Sequence, residues 1–205
     1  MSERTIDAVV FDIGGVLLDW SPDYLYTDLI PDEVERTRFL TEVTTPAWNH
    51  QQDAGRPWAE AIAELTGLHP QHADLIEAYD TGWLKMVKGV FEDTAAVITE
   101  IRALGLPTYA LTNFSTEKWE VAKDAFPVLA AFDGEVVSGT EHTVKPHEKI
   151  FRILLERFDL DAARTFYTDD MQYNVDGARA VGLDAEQFTG AADLRNQLRA
   201  RGLAV

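Results

Sequence analysis

Five short apolar segments rich in β-formers punctuate the chain, and helical patterns separate most of them. The segments are DAVVFDI (7–13), PTYALTN (107–113), DGEVVSG (133–139), RTFYTDD (164–170) and the weaker DAEQFTG (184–190). Helical patterns run through DTAAVITEIRALG (93–105), HEKIFRILLERF (147–158) and NVDGARAVG (174–182). The first and last of these reach a glycine suited to a helix C-terminus. Strands alternating with helices are joined by right-handed crossovers, which predicts an α/β chain with a mostly parallel sheet.

Residues 20–88 interrupt the alternation. They hold no convincing strand and read as helices over 22–30, 32–43, 57–66 and 71–87, with apolar spacings such as Trp58, Ile62 and Leu65. Short connections near Trp20 and Gly89 place this insert over the end of the first strand. The expected division is a core of residues 1–19 and 89–205 and an inserted helical domain of residues 20–88.

A chain of 205 residues suits one domain, or one domain with an insert. At that size it buries ~70% of the surface exposed on unfolding, so a sizeable core is available. There are 35 acidic against 18 basic residues, a formal charge of −17. Such a surface repels phosphate backbones and anionic lipids, which argues against nucleic-acid and membrane partners. An anionic substrate therefore needs a local positive site. The absence of cysteine excludes disulfides, thiolate metal sites and a cysteine nucleophile. MSERTIDAVVF has no basic segment followed by an apolar run and a cleavage site. No apolar stretch approaches the ~20 residues of a membrane span, so a cytoplasmic protein is expected. Nothing in the sequence selects between monomer and homodimer.

In an open parallel sheet, ligands bind at the carboxyl ends of the strands. The first strand ends in Asp12, the second in Thr112 and Asn113, the fourth in Asp169 and Asp170, and Lys145 follows the third in TVKPHEKIF. Three carboxylates converging at sheet tips repel one another and do not all ionise unaided. A divalent cation removes the conflict, and hard oxygen ligands point to Mg²⁺. Lys145 and Thr112 supply a cation and a hydroxyl suited to a phosphoryl group, and backbone N–H groups near Asn113 add to them. A carboxylate such as Asp12 can act as a nucleophile and form an acyl phosphate. Taken singly, each element has a plainer reading as a turn former, a helix cap or a surface loop. Their order along the chain is what marks a site.

These residues resemble the haloacid dehalogenase-like hydrolase superfamily across essentially the whole chain. Its four motifs have counterparts in VVFDIGGVL around Asp12, in ALTN ending at Thr112 and Asn113, in the VKP lysine Lys145, and in FYTDDMQYNVDGARAVG with Asp169, Asp170 and Asn174. The resemblance implies a Rossmann-like core, a mobile helical cap in place of the insert, and Mg²⁺-dependent transfer through an aspartyl intermediate. It implies that Asp12 is nucleophile and metal ligand, that the Gly14 carbonyl is a second ligand, and that Asp170 is the metal aspartate. Asp169 becomes a direct ligand or its supporting partner, while Thr112, Asn113 and Lys145 hold the phosphoryl group. Asn174 orders the Asp169–Asp170 loop.

One position departs from the family pattern. Most of its phosphatases carry a second aspartate two residues after the nucleophile, and this chain has Gly14 there. General acid–base help is typically worth ~10²–10⁴-fold, so its loss predicts slower turnover. Three readings follow. The first is a phosphatase of a small phosphorylated metabolite. The GG form of the first motif, the DD form of the fourth and the stretch WNHQQDAG look similar to a branch that includes α-D-glucose-1-phosphate phosphatases, and an anomeric oxygen leaves with less protonation. The second is a metal-independent 2-haloacid dehalogenase, with Arg36, Arg38 and Arg56 as nominal halide ligands. The Asp169–Asp170 pair speaks against it, since an added carboxylate favours a metal. The third is a non-catalytic binding protein on the same fold.

Within TPAWNHQQDAGRPW (45–58), Trp48 is placed to stack on a sugar face, Asn49, His50 and Gln52 to bond hydroxyls, and Arg56 to attract phosphate. The plainer alternative puts Trp48 and Trp58 in the core of the insert. His50 is also a candidate for the missing acid.

Overall fold

The computed structural model describes residues 5–205; residues 1–4, the start of the expected core, lie outside the described residues. Among the described residues seven strands occur in chain order: β1 (Ala8–Phe11), β2 (Leu18–Trp20), β3 (Val87–Val90), β4 (Thr108–Thr112), β5 (Gly134–Val137), β6 (Thr165–Asp169) and β7 (Asp184–Gln187). Five of them form one parallel sheet in the order β5-β4-β1-β6-β7. These are the five apolar segments of the sequence, and the expected α/β class is what the structure shows.

The side-chain period of two sorts each strand between the two faces of the sheet. Val9, Phe11 and Phe166 enter one apolar cluster, whereas Val10, Leu111 and Tyr167 enter the other. The first face is covered by α6 (Glu92–Ala103) and α11 (Ala191–Ala200), through Val97, Ile98, Ile101, Leu194 and Leu198. The second is covered by α9 (Glu148–Arg157) and α10 (Gln172–Ala180), through Ile150, Phe151, Leu154 and Val175. A strand buried on both faces needs an unbroken apolar run, which is why β1 reads AVVF. The strand order reverses around β1. Its neighbours β4 and β6 leave in opposite directions, and a crevice opens at their carboxyl ends.

Between β2 and β3 the chain forms α1 (Pro22–Leu29), α2 (Glu33–Glu42), α3 (Pro46–Asp53), α4 (Trp58–Leu68) and α5 (Ala73–Thr81). Ser21, Asp32 and Thr45 cap the first three by accepting from backbone N–H groups one turn in. Trp48, Trp58, Tyr79, Tyr26 and Phe39 stack and abut in the middle of this group. Trp58 Nε1 donates to Ser115 Oγ at 2.8 Å, and Lys118 pairs with Asp80, joining these helices to α7 (Thr116–Ala125) and its preceding loop; a single turn, α8 (Ser138–Glu141), follows β5.

Three features differ from the sequence expectation. Residues 45–58 include a helix, α3, started by Thr45 and Pro46. The helix expected over 71–87 stops at Thr81, before Gly82, and the chain continues as a short 3₁₀ turn, Trp83–Met86, into β3. Finally, β2 and β3 pair antiparallel across the two expected boundaries. Strands of three and four residues carry too little alternation to be read locally, and their partner lies far along the chain.

Candidate active site

Three strand ends meet on one ammonium. Lys145 Nζ lies 2.8 Å from Asp12 Oδ1, 2.7 Å from Asp169 Oδ2 and 3.1 Å from the carbonyl oxygen of Leu111. The register explains the convergence. Phe11 is opposite Thr168 on one side and Ala110 on the other, so the next residues along, Asp12, Asp169 and Leu111, are neighbours. Lys145 is buried, and its three donors are all used. Its own loop is held by Asn113, whose side chain accepts from Lys145 N at 2.8 Å and donates to Lys145 O at 3.1 Å.

Asp169 is enclosed on every side. Oδ1 accepts from Met171 N at 2.8 Å and from Asn174 Nδ2 at 3.0 Å, and Oδ2 accepts from Lys145, Asn174 and the Tyr167 hydroxyl. Asp12 differs. Both its hydrogen bonds, from Ile13 N at 2.7 Å and from Lys145, fall on Oδ1, so Oδ2 is free of hydrogen bonds among the described residues. Asp170 packs against Gly15, where φ is +73° and a Cβ would stand 2.5 Å from Asp170 Oδ2. Only glycine combines that backbone with that approach.

The charges do not balance. Burial pushes the Asp12 carboxyl up to about 7 against the pull of Lys145, and Asp169 adds to the rise. Burial and the Asp169 charge raise Asp170 as well. Burial works against Asp169 too, but the Lys145 charge and the bonds from Lys145, Tyr167 and Asn174 hold it below its usual value. Burial opposes the Lys145 ammonium, and the Asp12 and Asp169 charges more than restore it. One carboxylate oxygen from each of Asp12, Asp169 and Asp170 lies within 4.8 Å of the others. One lysine neutralises part of this set, and the remaining hard oxygen donors fit a divalent cation such as Mg²⁺.

A cleft of about 670 Å³ opens over these groups. Asp12, Gly14, Thr112, Asn113, Lys145 and Asp170 form its floor, and Trp20, Leu40, Pro46, Asn49, His50 and Tyr79 its opposite wall. Of the residues of 45–58 expected to meet substrate, Asn49 and His50 line the cleft, and Trp48, Gln52 and Arg56 do not; Gln52 is buried and donates to the Trp48 carbonyl. Trp48 is buried, edge-on to Trp58 and Tyr79. Arg56 bonds Gln51 at 3.0 Å and pairs with Glu64 and Glu60. The residues that sequence reasoning passed over are Tyr167, which braces Asp169, Gly15, which admits Asp170, and Asp53, which lines the cleft. The GG pair was a visible signal for Gly15; the other two are recognisable only from burial and partners.

Residues 6–182 match the family model of haloacid dehalogenase-like hydrolases. A sesquiterpene phosphatase of Aspergillus oryzae is 24% identical over 95% of this chain and 96% of its own length. A HAD family enzyme of Bacteroides thetaiotaomicron, in complex with magnesium and inorganic phosphate, superposes with a TM-score of 0.69 at 22% identity, over 89% of this chain and 93% of that one. The L-2-haloacid dehalogenase of Xanthobacter autotrophicus does so at 0.65 and 18%, over 95% and 83%. At such identities the two structures speak for the fold alone. The family model covers most of the chain and includes the Asp12, Lys145 and Asp169–Asp170 positions, and the chain is a member of the haloacid dehalogenase-like hydrolases.

Proposed function

We propose that this hydrolase is a Mg²⁺-dependent phosphatase of small phosphorylated metabolites, working through an aspartyl-phosphate on Asp12. The observation that carries this reading is the cluster of Asp12, Asp169 and Asp170 around a single buried lysine. A halide displacement has no use for the additional carboxylate, Asp170. The three arginines named as halide ligands are also engaged elsewhere: Arg36 with Asp23 at 2.7 Å, Arg38 with Glu42 at 2.9 Å, and Arg56 with Glu64. None of them lines the cleft.

In this reading Asp12, Asp170 and the Gly14 carbonyl hold the cation. When bound, Mg²⁺ offsets the negative charge of phosphate against that of the carboxylates. Asp12 attacks phosphorus through Oδ2, while Lys145 holds Oδ1 and draws charge from the phosphoryl oxygens. Asp169, saturated with donors, fixes Lys145 and serves as its counter-ion. Thr112 and the backbone beside Asn113 hold the phosphoryl group; the Asn113 side chain is committed to the Lys145 loop. Water then attacks the phosphorus of the aspartyl-phosphate and frees Asp12.

Residues 20–88 act as a helical cap over a core of residues 1–19 and 89–205, and cap closure excludes water from the site. The wall that this cap gives to the cleft is mixed. Asn49 and His50 suit the hydroxyls of a sugar phosphate such as glucose 1-phosphate, while Trp20, Leu40 and Tyr79 suit an apolar leaving group, the direction in which the name of the Aspergillus relative points.

The test is phosphate release from an aryl phosphate and from a panel of sugar phosphates and prenyl phosphates, with Mg²⁺ and with chelator. Halide release from 2-chloropropionate is followed in parallel. Mg²⁺-dependent phosphate release without halide release is expected. Metal-independent halide release without phosphate release would overturn the proposal.

A further inference from the structure

We propose that Asp53, the last residue of α3, is the acid–base residue whose usual position is taken by Gly14. This rests on the phosphatase reading above. A Cβ built at Gly14 meets no heavy atom within 4 Å, so a carboxylate at that position has room and is simply not supplied there. Gly14 and Asp53 both line the large cleft, and both line a narrower side pocket of about 80 Å³ between Trp58, Trp83 and Ser115. Asp53, on a helix of the insert, thus borders the same space as Asp12 and Gly14.

Asp53 is held for that task. Its Oδ2 accepts from Asn49 Nδ2 at 3.2 Å, its carboxyl group takes a hydrogen bond from the Ser115 backbone, and its main-chain oxygen accepts from Ser138 Oγ at 2.5 Å. The side chain is half-buried and makes no ion pair among the described residues. The charged and titratable groups around these two cavities, besides Asp53 itself, are Lys145, Lys118, Asp12, Asp23, Asp170, His50, Tyr79 and Tyr173. Burial pushes the Asp53 carboxyl up to about 7, while the Ser115 bond and the Lys145 charge pull it down. The C-terminal end of α3 favours the protonated form further. Both forms are therefore populated near neutral pH, the condition for an efficient acid and base. His50, the candidate read from the sequence, is exposed and reaches the large cleft alone.

The proton balance closes over the two half-reactions. As Asp12 bonds to phosphorus and the ester P–O bond breaks, protonated Asp53 gives its proton to the leaving alkoxide and an alcohol departs. As water bonds to phosphorus and the Asp12–phosphorus bond breaks, the Asp53 carboxylate takes a proton from that water. Asp12 is regenerated as the carboxylate, and Asp53 as the acid.

The experiment compares kcat/KM for an alkyl phosphate and for p-nitrophenyl phosphate, whose leaving group needs no proton, in wild type and Asp53→Asn. The alkyl ester is expected to lose on the order of 10²-fold or more, the aryl ester less than about 10-fold. Gly14→Asp placed in Asp53→Asn should restore the alkyl reaction. Equal losses on both esters, or no loss on the alkyl ester, would overturn the proposal. Gly14→Asp alone gives an independent reading should Asp53→Asn fold poorly. A gain under about 10-fold on the alkyl ester is expected if Asp53 already supplies the proton, and a gain of about 10² or more would show that nothing does. Absence of aryl phosphate hydrolysis in the wild type is a separate outcome and counts against the phosphatase reading itself.

Discussion

Lys145→Met separates the charge of this lysine from its bulk. Methionine fills the same channel between the strand ends, so packing changes little, and what is lost is the ammonium between Asp12 and Asp169. Removing one partner of a buried ion pair leaves an uncompensated charge and typically costs about 3–5 kcal/mol. In a chain of this length that corresponds to a fall in Tm on the order of 10 °C. The pH dependence has a definite sign. Lys145 lowers the pKa of Asp169 in the folded state, so its contribution is present above the unfolded carboxylate pKa and is lost as pH falls through the folded value. Asp12 behaves oppositely. It is already raised to about 7, and without Lys145 it rises further and takes up a proton sooner as pH falls, which relieves the repulsion. The stability gap between wild type and Lys145→Met is therefore widest near pH 8 and narrower at pH 5. Guanidinium unfolding in chelator, at both pH values, measures it. A gap below about 1 kcal/mol at pH 8, or one that does not change with pH, would refute the electrostatic role assigned to Lys145.

The remaining geometry makes further predictions. Gly15→Ala places a Cβ against Asp170 in a left-handed backbone; about 1–2 kcal/mol of stability and at least about 10-fold in Mg²⁺ affinity should be lost, by chemical denaturation and titration calorimetry. Asn174→Ala withdraws the donor shared by both Asp169 oxygens and should cost about 1–3 kcal/mol in a urea titration. Trp48→Ala should lower stability by about 3–5 kcal/mol, because the ring is part of the aromatic core of the helical segment. Arg56→Ala should leave KM for any phosphate ester unchanged, since Arg56 lies outside the cleft and is engaged by Glu60 and Glu64.

The floor of the cleft is readable because a buried parallel strand announces itself. AVVF is a continuous apolar run that ends just before Asp12, and TFYTD, buried throughout, carries Asp169 as its last residue. Asp12, Asp169 and Asp170 follow from position alone, and Lys145 follows from its loop after β5. The wall opposite was harder to read because its meaning lies in contacts. Trp48 is buried among rings of α4 and α5, and no spacing in WNHQQDAG shows which way its ring turns. Arg56 did carry a signal, Glu60 and Glu64 at helical spacing, which indicates an arginine already paired. Pairing of β2 with β3 joins short segments from opposite ends of the insert, and no local pattern encodes it. Asp53 stood in plain view as one more acidic residue in an acidic chain. Only its burial, the hydrogen bond from the Ser115 backbone and the cavity it shares with Gly14 set it apart.

The covalent step on Asp12 is tested most directly by trapping it. Enzyme turning over an aryl phosphate in Mg²⁺ is quenched in acid, reduced with borohydride to mark any acyl phosphate, digested and weighed peptide by peptide. The aspartyl-phosphate mechanism predicts the mark on Asp12 alone, with both the mark and phosphate release lost in Asp12→Asn. Full turnover by Asp12→Asn, or a mark on another carboxylate, would contradict it.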